Sequence, residues 1–81
     1  MNKQQREWME YKLTQIYRKS NKVEDRMDKA EAEKDMEKYA KLDCKNNILV
    51  NQISLMHDVL LCLGYSATFD YDENRAILTK R

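Results

Sequence analysis

The sequence predicts a mainly α fold: long amphipathic helices closed by a small C-terminal β-hairpin, in one domain over residues 1–81. Three observations predict it. The 81 residues include no proline and a single glycine, Gly64, so no conventional helix breaker occurs before that point. Apolar residues recur at helical spacing throughout that long stretch. Beyond Gly64 the period changes to two, the repeat of a half-buried strand.

The first helix is expected over about 3–19. Met9, Leu13, Ile16, Ser20, Val23, Met27 and Ala30 follow at alternating steps of four and three, an a/d seam that continues past residue 19. The seam falters where Lys34 and Glu37 take the next positions, and apolar residues resume out of phase at Ala32, Met36, Tyr39 and Ala40. Such a stutter marks a shifted stripe or a change of packing partner. Two segments compete as breaks. Asn21 stands three residues before Glu24, a capping-box spacing that favours a new helix over about 22–63. Asp43-Cys44-Lys45-Asn46-Asn47 clusters side chains that compete for backbone hydrogen bonds, giving a second candidate break at 43–47. An unbroken helix over 22–63 would be ~63 Å long. One chain of this size cannot cover it, so that reading predicts a homo-oligomer. A break at 43–47 instead predicts a compact helical hairpin with a β-hairpin cap.

Residues 48–63 are apolar at eleven of sixteen positions, with Asn47, Asn51, Ser54 and Asp58 forming one narrow polar stripe. A helix apolar around most of its circumference is buried on most sides. The expected contacts between copies are Leu13, Ile16, Val23 and Met27 from the seam, with Ile53, Met56, Leu60 and Leu63 from this helix. Gly64 then stops the helix. Strands are expected at about 66–71 and 75–80, with Asn74 as the turn residue best suited to positive φ. A two-stranded hairpin alone is marginal in water. It must pack on the helices or extend a partner's sheet.

Fifteen basic against fourteen acidic side chains leave a net charge of +1, which selects no class of partner. The distribution is uneven: residues 1–22 hold six basic and two acidic side chains, and the remainder is slightly acidic. The two cysteines, Cys44 and Cys62, have no partner cluster, and Cys62 lies in an apolar run where a thiol behaves as a small hydrophobe. Reduced thiols and a cytoplasmic setting, with no membrane span, are expected.

Catalytic chemistry finds no foothold. Asp70, Asp72 and Asn74 spell the start of a calcium loop, but Arg75 and Arg81 replace its obligatory glycine and glutamate, so a solvated turn is expected. His57 is the only histidine, without zinc-ligand spacing to either cysteine, and reads as a satisfied polar group at the core edge. Phosphate-binding glycine loops and nucleophilic triads are absent from the pattern. No catalytic residue, metal or cofactor is expected.

The polar region with most chemistry is N-terminal. Trp8, Tyr11, Gln15 and Arg18 share one helical face, with Lys12 and Lys19 beside it. Aromatic planes next to cations can stack a base and neutralise a phosphate. The favoured expectation is that Trp8 and Tyr11 pack on the hairpin or on a neighbouring subunit while the basic side chains solvate the edge. A short, charged helical chain ending in a β-hairpin resembles the small accessory proteins of phages and mobile elements, a resemblance of style that no motif carries. The expected function is a non-enzymatic interaction protein that self-associates and binds, blocks or sequesters a partner, an anti-defence role being the kind this style implies. The alternative is a nucleotide- or nucleic-acid-binding module built on the basic aromatic face, with sites between subunits.

Overall fold

The computed structural model describes residues 1–81, which form α1 (Lys3–Ala32), α2 (Met36–Cys62), β1 (Tyr65–Asp70) and β2 (Arg75–Lys80). The chain is two helices followed by an antiparallel β-hairpin, the class its periodicities predict. A capping box opens α1: the Asn2 side chain accepts from the Gln5 N–H at 2.8 Å, and the Gln5 side chain accepts from the Asn2 N–H at 3.0 Å.

The position of the break corrects both expectations. α1 runs straight through Ser20-Asn21, and α2 runs straight through 43–47. The chain reverses instead at Glu33–Asp35. There Lys34 adopts φ 58°, its N–H donates to the Glu31 carbonyl at 3.0 Å, and the Asp35 N–H donates to the Ala30 carbonyl at 2.9 Å. These are the two bonds of a Schellman C-cap, built here without glycine. Asp35 then caps α2, its carboxylate accepting from the Lys38 N–H at 3.1 Å. The stutter at Lys34 and Glu37 is thus where the stripe changes partner: the helix ends and folds back.

The two candidate break segments meet across the helix pair. Ser20 is buried on the α1 seam, and its hydroxyl donates to the Asn46 side-chain oxygen on α2 at 2.7 Å. Each polar residue looks disruptive alone; together they satisfy one another across the helix pair.

β1 and β2 pair from Tyr65↔Lys80 to Asp70↔Arg75. Asn74 takes positive φ in the turn, as expected, and the Asp70 carboxylate accepts from the Asp72 and Glu73 N–H groups there. Gly64, at φ 85°, turns the chain out of α2. α1 lies along the outer edge of β2. Thr14 Oγ1 accepts from the Ala76 N–H at 2.8 Å, a Glu10 carboxylate oxygen accepts from the Leu78 N–H at 3.0 Å, and the Arg6 guanidinium donates to the Leu78 carbonyl at 2.6 Å. Side chains of α1 thereby satisfy an edge that would otherwise offer itself to other strands.

Leu13, Leu60, Tyr65, Ala76 and Leu78 form the core between the helices and the sheet, and Val23, Met27 and Leu49 form a smaller cluster toward the helical turn. The molecule measures 47 × 24 × 18 Å, and the sheet covers only one side of the helix pair at one end. Much of the helical surface consequently stays open.

Candidate interaction face

The residues expected between copies divide once the chain folds back. Leu13, Val23, Met27 and Leu60 are buried within a single chain, Ile16, Ile53 and Met56 pack half-buried against them, and only Leu63 is exposed. The turn at 33–35 makes α2 the seam's own partner. The apolar surface that remains lies elsewhere on the helix pair. Cys62 is exposed there rather than buried in the apolar run, and Cys44 is exposed also. Both sit on α2 eighteen residues apart, a separation of ~27 Å along the axis, so no bond joins them within the folded chain.

Two shallow depressions adjoin each other on the open face. One, of 390 Å³, is lined by Met1, Gln5, Trp8, Met9 and Leu63. The other, of 340 Å³, lies between Trp8, Met9, Lys12 and Ile16 on α1 and Leu55, Met56 and Val59 on α2. Leu55 is 65% exposed and Trp8 57% exposed, although neighbouring Leu60 is fully buried. Exposed apolar side chains scattered singly are ordinary; contiguous ones in a groove make this face the candidate site.

Farther along the same face, Lys19, Lys22, Val23, Arg26 and Lys45 surround a 220 Å³ depression. None of these cations belongs to an ion pair; the three pairs in the molecule are Arg6–Glu10, Lys41–Glu37 and Arg75–Glu73. Lys12, Ile16, Lys19, Val23 and Arg26 follow at steps of four and three, as do Lys45, Ile48, Gln52, Leu55 and Val59 on α2. The apolar and basic ends are therefore one continuous strip between two antiparallel helices.

The N-terminal candidates fall partly on this strip. Lys12 Nζ lies 5.7 Å from the Trp8 ring centroid, a cation–π arrangement at the strip's apolar end. Lys19 belongs to its basic end. Tyr11 and Gln15 bond each other at 2.8 Å, and the Arg18 guanidinium donates to the Asn74 carbonyl at 2.8 Å, tying α1 to the hairpin turn. Trp8 and Tyr11 remain exposed and do not pack into the core around the hairpin. Lys45, Leu55 and Val59 complete the strip from α2. Their membership depends on where the chain turns, which is why periodicity alone does not assemble them.

His57 stands at the core edge on the opposite side, its Nε2 2.9 Å from the Tyr17 hydroxyl. Tyr17 stacks on Phe69 at 4.8 Å between ring centroids. Burial, with a smaller contribution from Tyr71, pushes the Tyr17 hydroxyl above its ordinary pKa. This network joins α1, α2 and β1. No group of His, Cys, Asp and Glu side chains is placed to hold a metal ion. No helix is long and apolar enough to cross a membrane. Comparisons with protein-family models, with curated proteins and with solved structures find no match to this chain.

Proposed function

We propose that this chain is a non-enzymatic interaction protein that docks another helical surface on the face its own sheet leaves open. The observation that supports the reading is the contrast in burial along α2: Leu60 is sealed in the chain's core, while Leu55 and Val59 stand exposed beside Trp8 in a groove. Packing an amphipathic helix into an apolar groove between two helices is a recurrent recognition mode. Without a partner, two copies can cover each other weakly at the apolar Trp8–Leu55 end, leaving both basic ends in solvent, which connects this reading to the expected homo-oligomer.

Light scattering over a concentration series tests it, with wild type beside Leu55→Glu. The expected result is a mass that rises with concentration in wild type and stays monomeric in the variant. A mass that does not change with concentration and is indifferent to Leu55→Glu removes the reading. Leu60 is not the residue to change, because a charge there would disrupt the chain's own core.

The second reading, a nucleotide or nucleic-acid binder, is favoured by one observation: Trp8 with Lys12 over its ring, on a strip that continues into Lys19, Lys22, Arg26 and Lys45. It predicts stabilisation of the wild type on melting with nucleotides or oligonucleotides, lost in Trp8→Ala. A panel that gives no shift eliminates it.

A further inference from the structure

Resting on the docking reading, we infer that the occupant of the groove is an acidic amphipathic helix of a partner protein, bound with its apolar stripe on Trp8, Leu55 and Val59 and its carboxylates over Lys19, Lys22, Arg26 and Lys45. Charge carries the choice. The residues lining the two apolar depressions and the basic one include no aspartate or glutamate. Four cations converge there without an ion pair, although the chain as a whole is almost neutral. A second copy seated on this face by a two-fold axis would bring the same strip, with no counter-charge for either cluster. A nucleic acid would satisfy the cations but would leave Leu55, Val59 and Leu63 without apolar contacts. A helix with leucines on one face and carboxylates at one end satisfies both halves. From Trp8 to Arg26 the strip follows α1 for ~27 Å, the length of about 18 helical residues.

The charged end sets orientation and rate, and the apolar end supplies most of the affinity. Binding is therefore salt-sensitive in its association rate.

Two peptides of about 18 residues test the inference by fluorescence anisotropy, each long enough to span the strip. Both carry leucine at the same helical spacing, with glutamate at the remaining positions of one and lysine in the other. The full-length chain should bind the glutamate peptide at least about tenfold more tightly than the lysine peptide. The variant Lys19→Glu, Lys22→Glu, Arg26→Glu, Lys45→Glu should reverse that order. The milder pair Lys19→Gln, Lys45→Gln should weaken the glutamate peptide alone. Equal binding of the two peptides, or an order that charge reversal leaves intact, overturns the inference. So does an oligothymidine that binds wild type more tightly than the glutamate peptide and is lost on charge reversal. Should neither peptide bind while Leu55→Glu still abolishes self-association, the acidic partner is refuted and the docking face stands.

Discussion

The two sides of the helical hairpin are made from similar residues and put to different uses. On the sheet side, Leu13 and Leu60 are fully buried beneath Tyr65, Ala76 and Leu78, and α1 satisfies the edge of β2 through Arg6, Glu10 and Thr14. On the open side, Trp8, Leu55, Val59 and Leu63 are large apolar side chains that stay exposed. Burial of apolar area stabilises by about 25 cal/mol per Å² only where water is removed. The first side therefore holds the fold, and the apolar surface of the second contributes little to it. Substitutions separate the two.

The largest effect is expected at Leu60. Leu60→Ala removes a fully buried side chain at the junction of all four elements and should cost about 2–5 kcal/mol in urea unfolding. Thr14→Ala comes next. It strands the buried Ala76 N–H that Thr14 Oγ1 accepts, at a cost of about 1–3 kcal/mol, and Thr14→Ser should recover part of it. A loss at Thr14 no larger than at an exposed position would show that the edge of β2 does not depend on α1.

At the helical turn the sign inverts. Lys34 holds a left-handed backbone that costs a non-glycine residue about 1–2 kcal/mol. Lys34→Gly should raise the unfolding midpoint, by an amount reduced by glycine's extra freedom in the unfolded chain. A lowered midpoint would contradict the Schellman geometry at residues 30–35.

The hairpin, Gly64 and Asn74 were all legible in the sequence because each obeys a local rule: a period of two, a C-terminal glycine, an asparagine in a turn. The seam from Met9 to Ala30 was legible as well. Its partner was not. The turn at 33–35 uses Lys34 where glycine is usual, and Asp35 as a cap inside a Glu/Lys-rich stretch that resembles any solvated helix. Asn46 compounded the ambiguity, since within the 43–47 cluster it reads as a breaker until Ser20 of the seam stands opposite it. The strip followed the same logic. Trp8, Lys12 and Lys19 could be read on one helix, but Lys45 and Leu55 join them only after the chain turns at the right place. Leu13 and Leu60 were assigned to contacts between copies for the converse reason: their burial is plain from the pattern, but which chain buries them is not.

A smaller effect concerns pH. Burial raises the Tyr17 pKa, so the folded state favours the neutral hydroxyl. That contribution is intact below the unfolded value near 10 and is lost as pH rises through the folded one. Thermal melts between about pH 9 and 11 should show a shallower alkaline decline for Tyr17→Phe than for wild type. Parallel curves would remove Tyr17 from the alkaline response.

The most direct measurement pairs stability with association for Leu55→Glu. If the open face serves binding and not folding, urea unfolding of the monomer should change by no more than about 0.5 kcal/mol while the concentration-dependent rise in mass disappears. A variant that unfolds with the cost of a core substitution, or that associates as wild type does, would contradict the division between the two sides.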